Sequence, residues 1–259
     1  MRKVAIALLA LGLALVLVTP ASATVYFSEL FSYANGPLVA NSGGNWFVHS
    51  GTPPTDIQVV SGVAVGDMAQ APDDSRNLGV TTGAAAKTFA CFLVTIPTPG
   101  SPPVVANYFA HFKNAGSGTI HTSKTFVGPG SDNNHFRFGI STQANAGATP
   151  APVFWPSDLS FDTQYALAIE YDAATGISYL WVDPASQASP SIQSLAADAS
   201  ANSGRQLVCF SLRQSNTGGT SWTYKVDQVG TASTFDEACV SGPTPTSKST
   251  WGTLKALYR

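Results

Sequence analysis

Short apolar or alternating runs, separated by clusters of Gly, Pro, Asn and Ser, dominate the pattern of this chain. Helical periodicity is almost absent before the last ten residues. Short runs bounded by turn residues predict β-strands. The predicted strands cover residues 25–31, 46–49, 57–60, 63–65, 88–96, 107–112, 122–127, 135–140, 165–171, 177–182, 205–213 and 222–229. About a dozen short strands joined by turns predict an antiparallel sandwich or barrel.

Two hairpins are predicted from local sequence. The clearer one is YALAIEYDAATGISYLWVDP, in which alternation places Glu170 and Asp172 on one face of the first strand. If Asp172 pairs with Ile177, then Tyr179 and Trp181 share that face, whereas a one-residue slip moves them to the other face. The second predicted hairpin joins RQLVCFSLRQ to WTYKVDQVG through SNTGGTS, whose glycines make a reversal easy.

The two ends of the chain differ from this pattern. Residues 1–23 have a basic start, a run of apolar or small residues at 4–18 and a small-x-small site, which together predict a secretory signal peptide. The run is shorter than the roughly 20 residues of a membrane span, so cleavage after Ala23 is expected, with no transmembrane anchor afterwards. Residues 24–240 are predicted to form one domain. Residues 241–259 are predicted to be a Pro/Thr/Ser linker and a short helical tail.

Composition limits the choice of partner and compartment. Without Arg2 and Lys3 the chain has 11 basic against 15 acidic residues, a formal charge of −4, with the basic residues scattered singly. This distribution argues against nucleic acid and anionic membranes as partners. Charged residues are only 11% of the chain and hydrophobic residues 44%, which allows a large core and suits an exported β protein. The expected location is secreted or cell-surface.

Three cysteines, Cys91, Cys209 and Cys239, allow at most one disulfide, with three possible pairings. Cys91 and Cys209 lie in apolar, strand-like segments. The favoured interpretation is that they are small buried hydrophobic residues.

Three pieces of the sequence carry a resemblance to a known superfamily. They are ELFSYANGPLVANSGGNWFVHSGT followed by IQVVSG, then TQYALAIEYDAATGISYLWVDP, and finally QLVCFSLRQ with YKVDQVGTASTF. In this order they resemble the concanavalin A-like lectin/glucanase sandwiches, in particular the laminin-G-like bacterial branch. The resemblance implies an all-β, two-sheet antiparallel jelly-roll sandwich whose first strand pairs with its last. Leu30, Phe31, Tyr33 and Trp46 would then be core and edge anchors. The alternative is a sugar-stacking platform at Tyr33, Trp46 and Phe47.

Catalytic motifs are incomplete in this sequence. Hydrolases of the superfamily carry Glu-x-Asp-x-(x-)Glu on one strand, and retaining hydrolysis needs two opposed carboxyl groups. Glu170 and Asp172 match the first half, but residues 173–176 are Ala, Ala, Thr and Gly. The four histidines lie in unrelated contexts and form no zinc-type motif, and no Gly-x-Ser-x-Gly elbow appears. The protein is therefore expected not to be an enzyme.

Candidate binding residues follow from the aromatic content and the resemblance. A sugar site needs an aromatic face with a few aligned polar groups, and the candidates are Trp155, Glu170, Tyr179, Trp181 and Trp222. Relatives often bind calcium, a cation that takes several oxygen ligands. The favoured metal candidates are Asp132, Asn133 and Asn134, and a second acidic cluster comprises Asp67, Asp73 and Asp74. Both clusters are also compatible with plain polar turns.

The sequence thus predicts a secreted, non-enzymatic, lectin-like binding or adhesion module. Its expected partner is an extracellular polysaccharide or a surface protein. A structural surface or matrix protein without a small ligand is the alternative, and a divergent polysaccharide-cleaving enzyme is a third hypothesis.

Overall fold

The computed structural model describes residues 23–51, 55–100, 103, 105–114, 120–145, 147–199, 202–215 and 222–241. The predicted signal peptide up to residue 22 and the predicted tail from residue 242 lie outside the described residues. The strands are β1 (Val25–Glu29), β2 (Gly36–Pro37), β3 (Trp46–Ser50), β4 (Gln58–Val60), β5 (Val63–Asp67), β6 (Asp73–Asn77), β7 (Lys87–Thr95), β8 (Asn107–Lys113), β9 (His121–Pro129), β10 (His135–Ser141), β11 (Val153–Phe154), β12 (Leu159–Ser160), β13 (Gln164–Asp172), β14 (Ile177–Val182), β15 (Ile192–Gln193), β16 (Cys209–Arg213) and β17 (Thr223–Ala232). The helices are α1 (Leu38–Asn41), α2 (Ala196–Ala199) and α3 (Phe235–Ser241). Within these described ranges, no helix is long and apolar enough to cross a membrane.

The strands form two antiparallel sheets, as the sequence predicts. The first sheet has the order β15-β14-β13-β7-β17-β5-β4-β2, with β1 also paired to β17. The second has the order β11-β10-β9-β8-β16-β6-β3, with β12 also paired to β10. The architecture is therefore a two-sheet jelly-roll sandwich.

The main core lies between the two sheets, where aromatic rings from one sheet meet those from the other. Phe92 on β7 lies 6.2 Å from Phe109 on β8 and 5.8 Å from Phe210 on β16, measured between ring centroids. Tyr224 on β17 lies 5.1 Å from Phe109. All four side chains are fully buried. Each sheet thus covers the apolar face of the other, which is the driving force for the sandwich.

The predicted β13–β14 hairpin is confirmed, and the structure decides the register that the sequence left open. Asp172 pairs with Ile177, Glu170 with Tyr179 and Ala168 with Trp181. The second predicted hairpin is wrong. Strand β16 pairs with β6 and β8 in the second sheet, whereas β17 pairs with β1, β5 and β7 in the first. The chain crosses between sheets at this point because each strand buries its apolar face against the opposite sheet.

The opening block closes the first sheet as the resemblance implies, because β1 pairs with β17. Phe31 and Trp46 are buried in the core, with exposed fractions of 0% and 1%. This confirms the anchor interpretation for them and excludes Trp46 from a surface platform. Leu30 is 56% exposed, so its prediction as an anchor was wrong. Tyr33 is half-buried against the core.

Glu29 is a buried carboxylate that holds this block together. It accepts hydrogen bonds from the Phe31 amide at 2.7 Å and from the Tyr33 hydroxyl at 2.8 Å. The indole N–H of Trp46 donates to it at 2.9 Å, and Arg76 forms an ion pair with it. A buried charge is tolerated when it is paired and hydrogen-bonded, so removal of a single donor is costly.

A disulfide fixes the C-terminal helix to the first sheet. Cys91 on β7 is bonded to Cys239 on α3, which resolves the pairing that the sequence left open. Phe235 on the same helix packs against Phe89 and Trp181 on the outer side of the sheet. The favoured interpretation of Cys91 as a small buried hydrophobic residue was therefore wrong, whereas Cys209 is a free, buried cysteine, as expected.

We expect Trp46→Ala to lower the free energy of unfolding by about 3–5 kcal/mol, because truncation of a buried aromatic leaves a cavity. Glu29 would also lose one of its donors. Urea titration followed by circular dichroism measures the change. Trp155→Ala, at a half-buried position, serves as the matched control and should cost less. Equal midpoints for Trp46→Ala and the wild type would contradict the anchor role.

We expect Cys239→Ser to lower the free energy of unfolding by about 2–5 kcal/mol, the usual cost of losing a native disulfide. The bond joins positions 148 residues apart, so it restricts a large part of the unfolded chain. Thermal melts of the oxidised protein test this, with Cys91→Ser as the partner variant. The two single variants and the double variant should melt together, since each lacks the same bond. A double variant much less stable than either single variant would show that packing, not the bond, dominates.

Candidate functional site

The outer face of the second sheet gathers polar and charged side chains from five strands. Alternation turns the side chains on β3, β6 and β16 away from the core, whereas those on β8 and β9 reach the same face through irregular pairing. We call this surface the histidine face. It comprises His49 on β3, Asp73 and Ser75 on β6, Tyr108, His111 and Lys113 on β8, His121 and Lys124 on β9, and Ser211 and Arg213 on β16.

Irregular pairing brings two of these strands into position. The register of β8 against β9 shifts between Tyr108 and Ala110, and Phe109 and Ala110 both join the core cluster. His111 consequently lies on the same side as Tyr108, with ring centroids 5.6 Å apart. Strict alternation would have placed His111 with Phe109 in the core. Bulges of this kind commonly re-aim a side chain near functional sites.

Three histidines from three strands meet on this face. The ring centroids of His111 and His121 are 4.2 Å apart, and His49 lies 5.8 Å from His111 and 5.9 Å from His121. His111 is completely buried, and neither of its ring nitrogens has a hydrogen-bond partner among the residues that the structure describes. Burial lowers the pKa of His49 to about 3 and that of His121 to about 4, with nearby cations adding to the effect. All three imidazoles are therefore neutral near pH 7.

Two cations flank Tyr108 beside the histidines. The guanidinium of Arg213 lies 4.0 Å from the centroid of the Tyr108 ring, and the ammonium of Lys124 lies 4.8 Å from it. Arg213 also donates to Asn107 Oδ1 at 2.8 Å. Burial lowers the pKa of Lys124 to about 8, so it still carries a proton at neutral pH. The Tyr108 hydroxyl lies 3.4 Å from His121 Nδ1.

Asp73 alone among the residues of the histidine face carries a carboxylate. Its Oδ2 accepts a hydrogen bond from the Ser50 hydroxyl at 2.8 Å and lies 3.5 Å from His49 Nε2. Burial raises the pKa of Asp73 to about 6, although Arg213 opposes the shift. Lys113 and Arg213 thus face this weak carboxylate, whereas Lys124 interacts with Asp198. The surface is positive in a chain whose formal net charge is −2.

The predicted sugar-binding residues do not form one surface. Glu170, Tyr179 and Trp181 do lie together, on the outer side of the first sheet, where Lys87 donates to Glu170 at 2.6 Å. Trp181 is only 3% exposed beneath α3, and its N–H donates to the carbonyls of residues 187 and 189. Neither Glu170, 2% exposed, nor Trp181 offers a free face to a ligand.

The remaining two tryptophans lie elsewhere. Trp222 is 1% exposed and packs against Phe109 and Tyr224 in the main core, so it is a core residue and not a stacking surface. Trp155 is half-buried and packs against the edge of the same core. The candidate site is therefore not defined by exposed aromatic side chains.

The oxygen-rich segments predicted for calcium form local contacts. Asp132, Asn133 and Asn134 are exposed, and Asp132 Oδ1 accepts from the Asn134 amide at 2.8 Å and from His135 Nδ1 at 2.6 Å. This is the geometry of a polar turn. The second acidic cluster is divided by the strand, because Asp73 lies on the histidine face whereas Asp74 is fully buried.

The sequence interpretation of the histidines was wrong. Their local sequences are unrelated because residues 49, 111 and 121 belong to strands that become neighbours only in the folded sheet. Period-two alternation around Trp46 predicts that His49 faces outward. No local signal predicts the register shift that re-aims His111.

Comparisons with known proteins identify the fold of this chain. No protein-family model and no curated protein sequence matches the chain. Among solved structures, a variant of alginate lyase Aly36B with alginate trisaccharide is similar with a TM-score of 0.51 and 8% identity, over 81% of this chain and 97% of that chain. The fold is concanavalin A-like.

Two further solved structures are similar to this concanavalin A-like chain. Lectin UEA-II in complex with galactose has a TM-score of 0.47 and 13% identity, over 82% of this chain and 98% of that chain. A CBM2 module from the evolved Dit protein of Lactobacillus casei phage J-1 has a TM-score of 0.48 and 10% identity, over 82% of this chain and 96% of that chain. These likenesses concern the fold alone. Membership of the laminin-G-like branch stays a prediction.

Asp74 is a buried carboxyl group on the inner side of β6, and its burial can be tested through its pKa. Its Oδ2 accepts the Ile57 amide at 3.1 Å, but within the described chain neither its Oδ1 nor Oδ1 of the buried Asp56 has a partner. Burial, and next the Asp56 carboxylate, raise the pKa of Asp74 to about 8 from 3.8. The folded protein therefore holds a proton here that the unfolded chain releases.

We expect wild-type stability to fall as the pH rises from about 4 to about 8, through loss of the Asp74 proton. The stability of Asp74→Asn should lack this part of the pH dependence. Urea titrations across this range measure the difference between the two proteins, which removes the contribution of other groups. Asp132→Asn, at an exposed turn, should keep the wild-type fall. Parallel curves for wild type and Asp74→Asn would contradict a raised pKa.

Proposed function

We propose that the protein is a secreted, non-catalytic binding module whose histidine face binds an acidic saccharide. One observation carries this proposal. Lys113, Lys124 and Arg213 converge on one side of the second sheet, where the nearby carboxylates are Asp73, whose own pKa is raised, and Asp198, which lies near Lys124. An excess of positive charge on one face of an acidic chain favours an anionic ligand.

The accessible groups and the buried groups have different roles in this proposal. Arg213 and His121 are partly exposed and are the groups that would touch the ligand, whereas the His49 side chain is only 3% exposed. An arginine binds a carboxylate with paired, charge-assisted hydrogen bonds. Neutral imidazoles donate to and accept from sugar hydroxyls. Lys113 and Lys124 are 1% and 5% exposed, so they contribute to the positive potential more than to direct contact.

The fold is compatible with this function. The Aly36B structure, which shares the concanavalin A-like fold, holds an alginate trisaccharide, and alginate is a chain of uronic acids. A positive face on the same kind of sandwich suits the same class of ligand. The predicted signal peptide supports an extracellular setting for the ligand. The apolar aromatic platform expected of many neutral-sugar sites has no counterpart on the histidine face.

A second candidate function is cleavage of an acidic polysaccharide by β-elimination. The observation that favours it is the contact between the Tyr108 hydroxyl and His121 Nδ1, 3.4 Å, beside neutral imidazoles. A neutral histidine would remove the proton next to the uronate carboxylate, which Arg213 neutralises. The C–O bond to the leaving sugar breaks, Tyr108 protonates that oxygen, and a carbon–carbon double bond forms. Both acid and base then lie within reach of one substrate.

Binding is tested by isothermal titration with alginate, polygalacturonate and a neutral galactan, at low and high salt. We expect the acidic polymers to bind and the neutral polymer not to bind. Arg213→Gln should weaken binding about ten- to hundredfold, because a hydrogen bond to a charged group contributes about 1.5–3 kcal/mol. Lys225→Gln, which removes an exposed cation from the outer side of the first sheet, is the control. Equal affinity for acidic and neutral polymers would contradict the proposal.

Cleavage is tested in the same solutions by the ultraviolet absorbance of the new double bond. The binding-module proposal predicts no increase for wild type with any of the polymers. An increase that Tyr108→Phe abolishes, while binding persists, would replace the binding module by the eliminating enzyme.

A further inference from the structure

We propose that His49, His111 and His121 form a binding site for a divalent transition-metal ion, of which Zn²⁺ is the representative tested. The proposal rests on the histidines and their surroundings and not on the saccharide function. Each histidine offers one ring nitrogen, and these three atoms lie within 4.8 Å of one another. This is the one such cluster of histidine, cysteine or acidic side chains among the residues that the structure describes.

The nitrogen positions are close to those of a metal site. With Zn–N bonds of 2.0–2.1 Å, nitrogens of a tetrahedral site are about 3.3 Å apart. Small rotations of the imidazoles would bring the three nitrogens, which lie within 4.8 Å of one another, to this separation. The rings come from β3, β8 and β9, so three separately anchored strands hold them. A site built on strands is more rigid than one built on loops.

His111 gives an independent reason to expect a ligand. It is completely buried, yet within the described part of the chain neither Nδ1 nor Nε2 has a hydrogen-bond partner. His49 Nε2 is also buried without a hydrogen bond to any described residue, since Asp73 lies 3.5 Å away. Buried polar atoms are normally satisfied, and each unsatisfied one costs about 1–3 kcal/mol. A metal ion would satisfy one nitrogen of each ring at once.

The surroundings of His49 match those of a metal ligand. Its Nδ1 lies 2.7 Å from Ser75 Oγ, which in turn lies 2.6 Å from Ser211 Oγ. If Nδ1 donates to Ser75, Nε2 keeps its lone pair for a metal ion. Ligating histidines usually donate their other N–H to such an outer partner, which fixes the tautomer. Burial keeps the three imidazoles neutral, the protonation state that binds metal.

Charge and donor type determine which ion fits. Three imidazoles suit Zn²⁺, Cu²⁺ or Ni²⁺, whereas Ca²⁺ requires oxygen ligands. Lys113, Lys124 and Arg213 lie near the histidines and oppose a cation. The Asp73 carboxylate partly offsets them. The fourth coordination position is left for Asp73, water or an anion. We therefore expect added anions to strengthen metal binding.

The test uses the full chain without a polyhistidine tag and without saccharide. Competition with a chromophoric Zn²⁺ indicator measures affinity and stoichiometry, and visible absorbance after Co²⁺ addition reports coordination. We expect one ion per chain. His49→Gln and His121→Gln should each weaken binding by more than about a hundredfold. Ser75→Ala should weaken it about 10–100-fold, as loss of an outer partner does.

The controls separate metal binding from folding. His135→Gln removes a histidine bound to Asp132 away from the cluster and should leave affinity unchanged. Circular dichroism melts identify any variant that fails to fold, and His49 and His121 are preferred targets because they are less buried than His111. Wild-type affinity equal to that of His49→Gln and His121→Gln would overturn the proposal. So would an affinity that falls only in His135→Gln.

Discussion

The structure depends on one constraint, which is that the two sheets bury their inner faces against each other. Phe92, Phe109, Phe210 and Tyr224 meet across this boundary and are fully buried. Because side chains alternate along a strand, every residue committed to this core places its neighbours on an outer face. The character of the two outer faces is therefore decided by what lies between the core positions in the sequence.

The two outer faces of the sandwich differ in the side chains that they present and in what covers them. On the first sheet, α3 and the Cys91–Cys239 bond cover an apolar surface that includes Phe89 and Trp181. On the second sheet, alternation together with the irregular pairing of β8 and β9 presents histidines, cations and serines. Helix α3 of the chain itself therefore covers this part of the first face. The second face is consequently the better candidate for a ligand, although it contains none of the tryptophans that the sequence predicted as ligand-binding residues.

The histidine face combines two kinds of polar group that have different consequences. The cations around Tyr108 create a positive surface, which supports an acidic ligand. The neutral imidazoles lie beneath and beside them with unsatisfied nitrogens, which supports a metal ion. The two occupants are compatible, since an anion at the fourth coordination position would reduce the repulsion between the metal and the cations.

The sequence by itself determined the all-β class and the β13–β14 hairpin. Alternation and turn residues are local signals, and they were sufficient for these two features. The pairing of the first strand with the last was implied by the resemblance to a known superfamily and not by a local signal. Strand β6 was missed because DDSRN lacks apolar residues, and the β16–β17 hairpin was wrong because adjacency in sequence does not decide which sheet a strand joins. Only the tertiary structure decided the candidate site. Residues 49, 111 and 121 meet because their strands become neighbours through long-range pairing, and because a register shift in β8 turns His111 outward.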